Sequence, residues 1–389
     1  MKKRILFFTG ARSEFGLLKP LLSEIKNDNT FQLLLVASGM HLSPEFGLTY
    51  RDIEKDGFEV TEKIEMLISS DTPVGICKSI GVGLIGYGEV IERIKPDISV
   101  VLGDRYEALA FAIANTVSRV PLAHLYGGEA TYGLIDEAFR HSITKMSYLH
   151  FAATESYRNR IIQMGEAPER VFNVGALGID NIKKSKLLTI EELEKALSFK
   201  FGTRNLMVTF HPVTLEKKTS SHYCRELLEV LDGLPETHII FTGANADTDG
   251  RIINTLFSEY VENHRDKSTF IINMGNLLYY STLQFVDAVV GNSSSGIIEA
   301  PTFKIGTINI GNRQKGRISA ESVINCPTDR ESISHALQKL YSHEFQEKLK
   351  RVHNPYGNGG SAVKIISIIK NMEFFDIENK EFNIIESNS

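Results

Sequence analysis

The chain has 389 residues, long for one hydrophobic core, so two domains are the expectation. Hydrophobic residues make up 42% and charged residues 23%, as in ordinary globular proteins, and 43 basic against 48 acidic side chains leave a formal net charge of −5, which argues against non-specific binding to nucleic acid or to an anionic membrane. Three scattered cysteines, Cys77, Cys224 and Cys326, form no Cys-x-x-Cys pair; this argues against a disulfide framework and a structural zinc site, and fits a reducing, cytoplasmic location.

Met1-Lys2-Lys3-Arg4 before Ile5 to Phe8 mimics a signal peptide, but Arg12 and Glu14 follow at once, so the run reads as a first strand ending in Thr9-Gly10. No stretch approaches the ~18 consecutive apolar residues of a membrane span. A helical pattern through Leu17, Leu18, Leu21, Leu22 and Ile25 follows, then a second strand, Phe31 to Val36, closing in Ser38-Gly39-Met40-His41. The glycines around Ile80 to Ile91 read as close helix packing. Further strands are expected at Ile98 to Leu102, Pro121 to Leu125, Leu149 to Ala152 and Val171 to Val174, with a helix from about Ile135 to Met146. Such alternation writes a doubly wound parallel sheet.

The rhythm restarts after Ile182, with strands expected at Leu206 to Phe210, His238 to Phe241, Thr269 to Ile272, Ala288 to Val290 and Ile305 to Ile310. The charged stretch Lys183-Lys184-Ser185-Lys186 marks the boundary. The expectation is therefore an α/β protein of two Rossmann-like, doubly wound domains facing across a cleft, 1–182 and 183–389, with a final helix that packs back on the first domain. No Gly-x-Gly-x-x-Gly follows the first strand and no P-loop is present, so NAD and ATP lack their usual cradles.

Chemistry gathers at strand exits. Asp104, followed by Arg105, reads equally as a helix N-cap or as a proton-transfer group. His124-Leu125-Tyr126-Gly127-Gly128-Glu129 combines paired glycines with ionisable side chains at the next exit. Asp136 with Arg140, and Glu137 with His141, are four apart on a helix, so surface pairing is the default reading. In the second half His211 and Asn245 follow successive strands, and Gly291-Asn292-Ser293-Ser294-Ser295-Gly296 brings hydroxyls and amides to a helix start, where an anion is stabilised. Glu299 suits the two hydroxyls of a ribose, and Arg313 adds positive charge.

With these motifs the chain resembles the hydrolysing UDP-N-acetylglucosamine 2-epimerases of sialic acid synthesis. The match runs from the first strand to about Ile369. It includes Thr9-Gly10-Ala11-Arg12, Ser38-Gly39-Met40-His41, Gly103-Asp104-Arg105, Asp136-Glu137 with Arg140-His141, Phe210-His211-Pro212-Val213-Thr214, Gly291-Asn292-Ser293-Ser294, Gly311-Asn312-Arg313-Gln314 and Asn354-Pro355-Tyr356-Gly357. The resemblance implies a glycosyltransferase-B type fold, a UDP-sugar substrate, no cofactor or metal, and a homodimer built through the N-terminal half. It puts Arg12, His211, Asn245, Ser293, Ser294, Glu299 and Arg313 on the UDP side, with Asp104, Asp136, Glu137 and Arg140 at catalytic and sugar-contacting positions. His41 and Arg105 join them as substrate contacts. Where the family has His-x-Glu at the fifth strand's exit, this chain has Tyr126. Glu129 is favoured to replace that glutamate, with the Tyr126 phenol as the alternative.

The reaction so implied removes the C2 proton while UDP leaves C1, then adds water at C1 and returns a proton to the opposite face of C2. The alternatives are the same reaction on UDP- or GDP-2,4-diacetamido-2,4,6-trideoxyglucose, a non-hydrolysing epimerase, a glycosyltransferase, and a non-catalytic nucleotide-sugar binder; the acids disfavour the last two.

Overall fold

The computed structural model describes residues 2–68, 72–132, 135–212, 220–244, 248–372 and 380–384. It divides into two compact units, Met1–Asn181 with Tyr356–Ser389, and Ile182–Pro355. The division falls inside the helix Leu177–Lys184, and the second unit ends at Pro355 rather than running to the C-terminus.

The first unit holds a 7-stranded parallel sheet: β1 (Lys3–Thr9), β2 (Phe31–Ser38), β3 (Glu62–Ile64), β4 (Ile98–Leu102), β5 (Leu122–Leu125), β6 (Leu149–Ala152) and β7 (Val171–Asn173), in the order β3-β2-β1-β4-β5-β6-β7. Its strands are apolar on both faces because helices cover both. Along β1, Ile5 and Phe7 enter a core with the helix Arg12–Asn27, whereas Leu6 and Phe8 enter another with the helices Pro73–Ile94 and Tyr106–Val117. Strand order reverses between β1 and β4, which pair from Ile5 opposite Ile98. In open sheets of this kind ligands bind beyond the carboxyl ends of the strands at such a reversal. Thr9-Gly10 and Gly103-Asp104 stand there.

The helix Ser361–Asn371 belongs to this first unit for visible reasons. The Asp180 carboxylate accepts from the amides of Ser361 (3.0 Å) and Ala362 (2.7 Å), satisfying two orphan donors of its first turn. Lys3 Nζ donates to the carbonyls of Ile369 and Met372, both at 2.9 Å, near its last turn. Beyond it, residues 380–384 lie as irregular chain.

The second unit holds a 6-stranded parallel sheet: β8 (Arg204–Thr209), β9 (Thr237–Thr242), β10 (Ser268–Ile271), β11 (Ala288–Gly291), β12 (Gly306–Ile310) and β13 (Val323–Cys326), in the order β10-β9-β8-β11-β12-β13. Leu206 and Val208 face one core and Met207 the other. Here the reversal lies between β8 and β11, where Gly291 pairs with Thr209. Gly291 has φ +133, and a Cβ there would sit 1.9 Å from the Thr209 carbonyl oxygen, so only glycine allows this approach.

Two short strands, β3 and β13, add to those expected from sequence. One helix among the described residues, Pro73–Ile94, has the length and apolarity of a membrane span, which the sequence reading did not anticipate. Tyr87, Val90, Ile91 and Ile94 pack it into the core of the first unit, and Gly83 and Gly86 lie against Met66 and Ile64.

Candidate functional site

At the carboxyl edge of the first sheet a buried arginine gathers the acids. Arg140, 2% exposed, rises from the helix Asp136–Met146. Its Nη2 donates to Asp104 Oδ2 and to Thr131 Oγ1 (2.7 Å), and its Nη1 to Glu137 Oε2 (2.6 Å) and the Glu129 carbonyl (3.1 Å). Arg140 thus pairs with Glu137, three residues before it, and with Asp104 beyond the end of β4, in place of the expected surface pair with Asp136. The second expected pair is present, His141 Nε2 lying 3.1 Å from Glu137 Oε1.

The adjacent acids Asp136 and Glu137 are tuned in opposite directions. Burial, and then the negative charge of Asp104, push the Asp136 carboxyl up against the pull of Arg105 and Arg140. Burial acts on Glu137 in the same sense, but the Thr131 amide at 2.6 Å and Arg140 outweigh it and hold Glu137 below the usual carboxylate range. A carboxyl that tends to keep its proton beside one that sheds it is a pattern suited to proton transfer.

The glycine loop after β5 separates its residues. His124 is fully buried, with Nε2 2.8 Å from the Gly103 carbonyl and Nδ1 3.1 Å from Thr144 Oγ1. Burial pulls its pKa down to about 3, so it is neutral and fixes the exit of β4 rather than carrying protons. Tyr126 adopts φ 66, its amide donates to the Phe151 carbonyl (3.1 Å), and its ring packs against the apolar cluster of Leu125 and Phe151. Glu129 is 5% exposed, and its charge acts on Arg140.

Among the remaining expected contacts, His41 lies in the turn after β2. It is wholly buried, with Nε2 3.0 Å from Thr9 Oγ1 and Nδ1 2.8 Å from Thr49 Oγ1, and burial lowers its pKa to about 4. Both ring nitrogens have threonine partners, and His41 ties β1 to the turn after β2. Arg12 opens the first helix and is exposed. Arg105 is partly exposed beside Asp104 and is held by Glu107 and Glu14, two buried acids to which the sequence analysis gave no role.

In the second unit the residues beyond β8 and β11 lock together. The Asn292 side chain accepts from the His211 amide (2.7 Å) and donates to the His211 carbonyl (2.8 Å). Its own carbonyl receives Arg313 Nη1 (3.0 Å) and Gln314 Nε2 (2.9 Å). His211 is kept neutral, burial and then the Arg313 charge drawing its pKa to about 4. Ser293 caps the short helix Ser294–Ile298, and Ser294 is half-buried at its start. Glu299 takes hydrogen bonds from Tyr280 Oη (3.1 Å) and Ser295 Oγ, and burial raises its pKa. Asn245, and Val213 with Thr214 of the motif after β8, lie outside the described residues. Asn292 had been read as part of a motif only; its position at the strand reversal was the missing signal. Among the described residues no group of His, Cys, Asp and Glu is placed to hold a metal ion.

The two parallel sheets, with acids at one strand reversal and an amide- and hydroxyl-rich loop at the other, define an enzyme-like α/β protein of the glycosyltransferase-B class. The chain belongs to the UDP-N-acetylglucosamine 2-epimerase family, whose profile matches residues 23–370. It is 42% identical over 382 residues (98% of this chain, 99% of the relative) to the GDP/UDP-N,N'-diacetylbacillosamine 2-epimerase (hydrolyzing) of Campylobacter jejuni. It is 36% identical to the polysialic acid biosynthesis protein P7 of Escherichia coli (98% of this chain, 96% of the relative). In fold it resembles the Neisseria meningitidis UDP-GlcNAc 2-epimerase crystallised with UDP-GlcNAc, with a TM-score of 0.81 at 19% identity, covering 95% of this chain and 100% of that one.

Proposed function

We propose that this chain is a hydrolysing 2-epimerase of nucleotide-linked 2-acetamido sugars. The observation that carries the reading is the set of acids around Arg140, with Asp136 raised and Glu137 lowered. Epimerisation at C2 needs a group that removes a proton from one face and a group that returns one to the other. One carboxylate cannot do both.

C2 is weakly acidic, so departure of the diphosphate from C1 leads and positive charge builds on the ring, where carboxylates stabilise it. The C2–H pair then forms the C1–C2 double bond as the proton passes to the base, giving a 2-acetamidoglucal and free UDP. Water next bonds to C1 and gives up a proton to a carboxylate, while the double-bond pair takes a proton at C2 from the opposite face. Asp104, Asp136 and Glu137, with Glu129, carry the proton chemistry. Ser293, Ser294, Arg313 and His211 hold the diphosphate, Glu299 the ribose, and Asn245 and Arg12 join them. The helix Ser294–Ile298 has only 5 residues, so hydroxyls and loop amides do this work more than a helix dipole. No cofactor takes part. A cytoplasmic homodimer is the proposed form.

The sequence reading put UDP-N-acetylglucosamine first among substrates. The 42% identity to a diacetylbacillosamine enzyme over nearly its whole length supports the opposite order. The preferred substrate is then a UDP- or GDP-linked 2,4-diacetamido-2,4,6-trideoxyglucose, with UDP-N-acetylglucosamine second. Initial rates on both UDP-sugars, read as UDP release, test it. A higher kcat/KM for the diacetamido sugar supports the assignment, and a higher value for UDP-N-acetylglucosamine overturns it.

A further inference from the structure

We propose that Glu107 and Glu14 are positioning residues that fix the Arg105 guanidinium as a preset cation beside Asp104 and Asp136; this rests on the function proposed above. Glu107 is fully buried, yet both its carboxylate oxygens are used on one partner. Oε1 lies 2.9 Å from Arg105 Nη2 and Oε2 3.2 Å from Arg105 Nε. A two-point grip of this kind sets the plane of a guanidinium, which a single contact does not. Glu14, 7% exposed, accepts from the Gly10 amide at 2.7 Å and places Oε1 3.9 Å from Arg105 Nε. The Arg105 side chain remains 38% exposed, with its Nη1 outside the clamp.

The backbone makes room for this arrangement. Gly39 has φ +56, and a Cβ there would come within 3.1 Å of Glu107 Oε1 and of the Gly10 carbonyl. The Thr9-Gly10 and Ser38-Gly39 exits thus frame the buried acids. Burying two carboxylates costs free energy that one cation only partly offsets, and such a cost makes sense where the cation must be held still. Its charge reaches the site, since it opposes the burial and the Asp104 charge that push the Asp136 carboxyl up.

The experiment is a double-mutant cycle on the full chain, with kcat and KM for the better UDP-sugar substrate. Arg105→Met and Glu107→Gln should each lower kcat/KM about 100-fold, mainly through kcat, and the double variant should fall no further than Arg105→Met alone. Losses that multiply to about 10,000-fold, or an unchanged Glu107→Gln, overturn the proposal. If Glu107→Gln does not fold, Gly39→Ala replaces it, with a smaller loss expected that vanishes in the Arg105→Met background; persistence of that loss there also overturns it. An NMR arm does not depend on turnover. The wild-type Arg105 Nε–H should be protected from exchange and lose that protection in the folded variant. Protection with no turnover of either sugar would sink the function and leave the clamp standing; absent protection would sink the clamp alone.

Discussion

Arg140 Nη1 donates to Glu137 Oε2 at 2.6 Å, pairing a guanidinium that is 2% exposed with one of two adjacent helix-start acids. The other Arg140 nitrogen holds Asp104. Arg140→Met would leave Asp104 and Glu137 without their shared guanidinium, and breaking a buried pair in this way costs roughly 3–5 kcal/mol. Arg140→Lys keeps the charge but cannot reach both acids in the same plane. The expectation is a large loss of both stability and turnover in the methionine variant. The lysine variant should be more stable but still slow, as read by thermal unfolding and by UDP release.

Asp104→Asn and Asp136→Asn should each cut kcat by about 100- to 10,000-fold, the range for a lost general acid or base. UDP affinity, measured calorimetrically, should hardly change, because the residues proposed to hold UDP, Arg12 excepted, belong to the second unit. A tenfold loss of UDP affinity in either variant would contradict the assignment.

Asn292→Ala removes the two bonds that fix His211 and loosens the loop before Ser293. UDP affinity should fall about tenfold, which corresponds to about 1.4 kcal/mol, while the rate at saturating substrate changes less. Titration calorimetry with UDP checks this.

Far from these acids, Glu166 is 1% exposed and is reached by Lys145 (2.6 Å), His150 (2.9 Å) and, from the C-terminal segment, Lys380 (2.7 Å). Burial opposes its charge, but His150 and the lysines win and draw its pKa to about 2. The folded pKa lies below the unfolded value near 4.5, so this stabilisation is present above about pH 4.5 and is lost as pH falls towards 2. Glu166→Gln should therefore lower the unfolding temperature at pH 7, and the gap to wild type should narrow below pH 4.5. A gap that stays constant over that range would refute the linkage.

Strand and helix order were legible because fully buried parallel strands such as Ile98–Leu102 and Leu149–Ala152 write unbroken apolar runs. The three-residue β3 and the half-exposed β13 write no such signal. The contact that ties the C-terminal helix to the first unit, Asp180 capping Ser361 and Ala362, joins residues far apart in the chain and is encoded by no local pattern. At the candidate site the sequence placed Asp104 after a strand and Asp136 and Glu137 at a helix start, but their relation to Arg140 was not legible, since i,i+4 spacing favoured Asp136 and geometry chose Glu137. His41 stood in a strand-exit motif like the others, and only its threonine partners reveal a residue internal to the fold. Glu107 stands two residues after Arg105, past Tyr106, yet a buried acid inside a helix looks in sequence like any first-turn glutamate.

If protons leave and rejoin the sugar at these acids, solvent hydrogen must end up on C2. Turnover of the preferred UDP-sugar in deuterated water, followed by NMR, reads this directly. Free sugar with inverted C2 configuration bearing deuterium there, together with UDP, is the expected result. Released sugar that retains its original hydrogen at C2 would contradict the account.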